Sequence, residues 1–67
     1  MTLGSFLDVL ESGIKLSITE VRDNVKTELI MLFSGGQEQL TTELLSREVS
    51  SITILGKSFL EIQLTVS

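Results

Sequence analysis

The side chains able to do chemistry in this chain are few and scattered. Three cations, Lys15, Arg22 and Lys26, fall around one predicted turn. Together they can receive a carboxylate or a phosphate, with the arginine fork giving a directed two-point contact. Glu20, Asp23 and Glu28 stand among them, so the simpler expectation is a set of solvated, partly neutralised turn charges. Further on, Ser34-Gly35-Gly36-Gln37 has the composition of a backbone nest, in which successive N–H groups hold an anion ahead of a helix. No Walker lysine and no second fingerprint glycine follow, so it is neither a P-loop nor a dinucleotide fingerprint, and a plain loop is the simpler reading. Lys15, Arg22, Lys26, Gly35 and Gly36 are therefore the candidate residues for an anionic ligand. Ser12 and Lys15 match S-x-x-K, but S-D-N and K-T-G are both missing. Acylation chemistry needs those companions and an oxyanion hole, so the match reads as chance.

Acid–base catalysis needs a tuned carboxylate pair, a histidine or a lysine beside a bound substrate. The nine acidic residues are spread singly, and histidine and cysteine are absent. Disulfides are thereby excluded, zinc and copper sites lose their usual ligands, and neither a metal nor a cofactor is expected. A chain of 67 residues has little interior left for a substrate once its core is packed, so the sequence predicts no enzyme. The net charge of −4 has the wrong sign for phosphate neutralisation, and no Tyr or Trp is present to stack on bases. Nucleic acid is not an expected partner. The start, Met1-Thr2-Leu3-Gly4-Ser5-Phe6-Leu7-Asp8, lacks a charged n-region and a long apolar run, so these residues are not expected to act as a signal peptide. The longest unbroken apolar run, Leu29 to Phe33, is far short of a membrane span, and a cytoplasmic location is expected.

The elements that would position these groups follow from periodicity. Leu3, Phe6, Leu7 and Leu10 share one helix face, Thr2 can cap the start and Gly13 the end, predicting a helix from about Leu3 to Glu11. Ile14, Leu16 and Ile18 alternate with Lys15, Ser17 and Thr19 as a first strand. Asp23-Asn24 marks a turn. A second strand, Thr27 to Phe33, is apolar on both faces, with Leu29, Met31 and Phe33 on one and Ile30 and Leu32 on the other. Within Gln37 to Ser46 one or two helical turns are expected, capped by Thr41 or Thr42. A third strand runs from about Glu48 to Leu55 with Ile52 and Ile54 inward, and Gly56-Lys57 turns it into a fourth, where Leu60, Ile62, Leu64 and Val66 alternate with polar residues.

The fold class expected is α+β in the order α-β-β-α-β-β. Two β-hairpins form one four-stranded, mostly antiparallel sheet in a single domain, with the N-terminal helix on one face and a short central helix. One short helix cannot cover such a sheet. The expected open face carries Ile30 and Leu32, together with Val21, as a subunit interface, and Arg47 is a candidate interface contact because arginine is enriched there. At this size hydrophobic gain and ordering cost nearly cancel, so without disulfide or metal the chain is expected to self-associate as a homodimer or higher oligomer.

Several stretches carry a resemblance: Leu3-Gly4-Ser5-Phe6-Leu7-Asp8-Val9-Leu10, a hairpin ending in Leu32-Phe33-Ser34-Gly35, the run Glu43-Leu44-Leu45-Ser46-Arg47-Glu48-Val49-Ser50-Ser51-Ile52, and a final Leu60-Glu61-Ile62-Gln63-Leu64. In this pattern the chain resembles short accessory proteins encoded by phages and mobile elements of Gram-positive bacteria. Its Leu29–Phe33 run is oilier than theirs and its last strand longer. The resemblance implies a bacterial or phage cytosolic accessory protein and carries no catalytic signature. Three functions are compatible with these readings. The first is a non-catalytic module that binds a host protein, of the anti-defence kind. The second is an oligomeric sponge for an anionic metabolite or signalling nucleotide. The third is a purely structural self-assembling unit.

Overall fold

The computed structural model describes residues 1–66, with the side chain of residue 37 excepted. Helix α1 (Leu3–Asp8) is followed by strands β1 (Lys15–Arg22) and β2 (Val25–Phe33), a 3-10 turn (Gln37–Gln39), helix α2 (Thr42–Leu45), and strands β3 (Val49–Gly56) and β4 (Phe59–Leu64). This is the expected α+β order. The strands form one sheet in the order β2-β1-β4-β3. Both hairpins are antiparallel, while the central pair, β1 and β4, is parallel, so the sheet is mixed.

Each helix starts on a threonine cap. Thr2 Oγ1 accepts from the Ser5 amide at 3.2 Å and Thr41 Oγ1 from the Leu44 amide at 3.2 Å, satisfying N–H groups that have no partner inside the helix. α1 stops earlier than its periodicity suggests. Its last turn tightens into i→i+3 bonds from Val9 to Phe6 and from Leu10 to Leu7, and Gly13, at φ +91°, then turns the chain into β1. Asp23 and Asn24 both have positive φ, the two-residue turn whose twist suits a hairpin.

The core lies between the helices and one face of the sheet. Leu3 and Leu7 of α1 pack with Leu16, Ile18, Leu32, Ile62, Leu64 and Leu40, while Leu44, Leu45 and Ile30 close the rim. Leu32 is thus buried and Ile30 half-buried, on the helix-covered side and not on the open face expected for them. The reason is a β-bulge. The turn pairs Arg22 with Val25 and Thr19 with Glu28, but Ile18 pairs with Ile30, leaving Leu29 as an extra residue. One added residue exchanges the two faces of a strand. Ile52 and Ile54 do lie on the helix side, opposite Ile62 and Leu60, but β3 is an edge strand, and they are 40% and 76% exposed.

Ser34 joins the end of β2 to the start of β1. Its hydroxyl accepts from the Ile14 amide at 2.9 Å and donates to the Glu11 carbonyl, while its backbone exchanges bonds with Gly13 and Ile14. A second clasp runs along the start of β3, where Leu3 donates to the Arg47 carbonyl and Val49 to the Met1 carbonyl, both at 2.8 Å.

Candidate binding surface

Both helices pack on the even-numbered side of β1 and β4, so the other side of the sheet is open. Its residues fall in rows across the strand order. Phe33, Lys15 and Phe59 make the first row, Met31, Ser17, Glu61 and Thr53 the second, and Glu28, Thr19, Gln63 and Ser51 the third. The second and third rows form a polar net. Ser17 Oγ donates to Glu28 Oε1 at 2.9 Å, Lys26 Nζ reaches Glu61 Oε2 at 2.6 Å, and Thr19 Oγ1 donates to the Ile62 carbonyl at 3.5 Å. Ser17 and Thr19 are both buried, although no helix lies on that side among the described residues. Lysine stems can cover a surface while the head stays at its rim.

The first row is different. Phe33 is 60% exposed and Met31 44%, and Lys15 holds its ammonium 5.2 Å from the centre of the Phe59 ring, within cation–π range. A cleft of about 390 Å³ opens beside this row, lined by Lys15, Met31, Phe33, Ser34, Gly36 and Gln39. Of the five candidate anion residues, it gathers only Lys15 and Gly36. The Gly36 amide already donates to the Phe33 carbonyl at 3.1 Å, closing the turn after β2. Gly35 sits at φ +96°, a backbone angle that glycine allows and other residues resist.

The three cations do not converge. Lys15 begins β1 and Arg22 ends it; along a strand rising roughly 3.3 Å per residue they stand ~20 Å apart. Lys26 is paired with Glu61 on the open face, and Arg22 Nε lies 3.3 Å from Glu20 Oε2 toward the opposite side. The expected cluster fails because the extended strand separates Lys15 from Arg22 and sets them on opposite faces of the sheet.

Arg47 is likewise no free interface contact. Its Nη1 donates to Glu20 Oε1 and its Nη2 to the Thr65 carbonyl, both at 2.9 Å, and its side chain is only 19% exposed. The Arg47 hydrogen bond holds the Glu20 carboxyl below its ordinary range, with Arg22 adding to the effect and burial opposing it. Arg22 and Arg47 line a second cleft of about 430 Å³, with Glu43, Ser46, Glu48 and Thr65, and Glu20 backs both guanidinium groups. Three carboxylates against two guanidinium groups leave no positive excess there for an anion. No cluster of potential metal ligands occurs among the described residues, and no helix among them is long and apolar enough to cross a membrane.

The aromatic row escaped sequence reasoning because Met31 and Phe33 read as core on simple hairpin counting. The one available signal was the doubly apolar strand itself, which cannot hide both of its faces under one short helix. Comparison of the chain with family models, with curated proteins and with solved structures found no match in any of the three.

Proposed function

We propose that this chain is a non-catalytic protein-binding module, an accessory protein of the phage or mobile-element kind, and that a host protein docks on the open sheet face at its Phe33 end. The observation that carries this reading is the row Phe33–Lys15–Phe59, with Phe33 and Lys15 exposed and Phe59 half-buried, and the exposed Met31 beside it. Contiguous exposed apolar groups rimmed by polar ones mark interaction sites, and aromatic residues and methionine are enriched in interface cores. Lys15, standing between two rings, suits a partner that presents an apolar side chain next to a carboxylate. The neighbouring net of Ser17, Glu28, Lys26 and Glu61 is internally satisfied and supplies a polar rim.

The sponge reading loses its motivation, since Lys26 and Arg22 are each engaged by a carboxylate and lie apart from Lys15. Parallel affinity capture from a Gram-positive lysate, using the natural chain and a Met31→Glu/Phe33→Glu double variant, tests the docking face. Both positions are exposed, so the variant retains its fold. A protein held by the natural chain and released by the variant supports the reading. Capture that is equal for both, or absent for both, counts against it.

A further inference from the structure

We infer that β3 is a self-association edge: two copies of the chain pair their β3 strands antiparallel about Thr53, making one continuous sheet. The docking face proposed above is not needed for this inference, which rests on a different part of the molecule.

The sheet has two edge strands, β2 and β3. Chains that stay monomeric defend such edges with charges, proline or bulges, because an open row of N–H and C=O groups is a template for another strand. β2 carries Lys26 and Glu28 and an extra residue at Leu29. β3 reads Val49-Ser50-Ser51-Ile52-Thr53-Ile54-Leu55-Gly56, with no charge and no proline. Irregularities fall only near its ends, between Val49 and Ser51 and between Ile54 and Gly56, leaving Ser51–Ile54 regular.

The chain itself occupies the start of this edge, through the bonds that join Met1 and Leu3 to Val49 and Arg47. What remains open, from Ser50 to Gly56, is centred on Thr53. A two-fold axis through the sheet at Thr53 keeps both helix layers on the same side. It sets Thr53 against Thr53 of the partner subunit, and Ile52 against Ile54 of the partner subunit, twice over. Apolar and β-branched cross-strand pairs of this kind stabilise sheets. They also cover Ile54, which at 76% exposure is the barest isoleucine of the chain. Charge favours the same direction of pairing. Glu48 precedes the strand, already held by the Met1 ammonium at 2.9 Å, and Lys57 follows it, so a parallel copy would stack Lys57 on Lys57, whereas an antiparallel copy carries the two lysines to opposite ends.

Cysteine is absent from the chain, so a single introduced thiol is unique and its position reads the register. Cβ atoms directly opposite in an antiparallel pair lie within disulfide reach, and those displaced by several residues do not. Under mild oxidation Thr53→Cys is expected to give a covalent dimer at least tenfold faster than Ser51→Cys. In sedimentation equilibrium from low to high micromolar concentration, the natural chain is expected to rise from 7.4 kDa toward twice that mass. Ile54→Lys, on an exposed position, is expected to stay monomeric throughout with an unchanged circular dichroism spectrum, and Met31→Lys to dimerise like the natural chain. A natural chain that is monomeric throughout overturns the inference. So does a dimer indifferent to Ile54→Lys, a dimer lost in Met31→Lys, or equal cross-linking at positions 51 and 53.

Discussion

Arg47 reaches from the segment between α2 and β3 to Glu20 near the end of β1, with its Nη1 2.9 Å from Oε1, and its second amino group holds the Thr65 carbonyl beyond β4. One guanidinium thus ties together three segments that the sequence keeps far apart. Its partner is a carboxylate whose side chain is only 13% exposed.

The pH dependence of stability follows from that pair. Glu20 has a pKa below its ordinary 4.5 in the folded chain, chiefly through the Arg47 hydrogen bond. A depressed folded value means that the pair stabilises the fold above pH ~4.5 and that this contribution fades as pH falls through the folded pKa. Glu20→Gln is therefore expected to be less stable than the natural chain at pH 7, with a gap that narrows as pH drops below 4.5. Urea denaturation of both proteins at pH 7 and pH 3 checks this; a gap that stays constant refutes it.

The Leu29 bulge gives a prediction about length. Deleting Leu29 leaves Ile30 opposite Ile18 and Leu32 opposite Leu16, since the extra residue alone separates the two registers. The deletion is expected to retain a cooperative thermal transition, with a loss on the order of 1 kcal/mol, as for an ordinary tolerated change. Deleting Ser17 instead shifts β1 against both of its neighbours at once and is expected to abolish folding. Circular dichroism melts of the two deletions separate these outcomes.

Ser34 is a polar residue buried for a structural reason. Ser34→Ala removes the acceptor for the Ile14 amide and the donor to Glu11, leaving polar groups unmet in a half-buried site. The expected loss is about 1–3 kcal/mol. Exchange protection of the Ile14 amide should fall along with the midpoint in denaturant; an unchanged midpoint would assign that junction to other contacts.

Core and open face should respond differently to truncation. Leu16 is fully buried among Leu3, Leu7, Ile62 and Leu64, so Leu16→Ala is expected to cost roughly 2–5 kcal/mol. In a chain of this size such a loss is comparable with the whole stability, and a large unfolded fraction should appear in the amide spectrum. Phe33→Ala, on the open row, is expected to fall within about 0.5 kcal/mol of the natural chain. A large loss at Phe33 would mean that this ring belongs to the core.

The element order, both hairpins and the Thr2 cap were legible because each rests on local spacing: alternation in β1 and β4, Asp23-Asn24 as a turn, Thr2 ahead of a short helix. The second turn falls one residue beyond the expected Gly56-Lys57, at Lys57-Ser58 with Gly56 still in β3, and of Thr41 and Thr42 it is Thr41 that caps α2. The register of β2 was not. Counting back from a two-residue turn puts Leu29, Met31 and Phe33 opposite Ile18, Leu16 and Ile14. The bulge that reverses this has no glycine or proline to announce it. The parallel pairing of β1 with β4 was equally hidden, since a hairpin pattern does not say which of its strands sits inside the sheet. The candidate anion site failed for a related reason. Lys15, Arg22 and Lys26 are near one another in sequence, but a strand carries its two ends apart, and each end found its own partner.

The parallel pairing at the centre of the sheet also sets an order of events during synthesis. Leu16 and Ile18 emerge from the ribosome early, yet the side chains that complete their burial, Ile62 and Leu64, come from a strand made only after β2, α2 and β3. Until β4 threads in beside it, the first hairpin has only α1 to cover its oily side. Burial of the first hairpin is therefore completed only once β4 has been made, and until then the nascent hairpin is the form that a chaperone or a protease would meet.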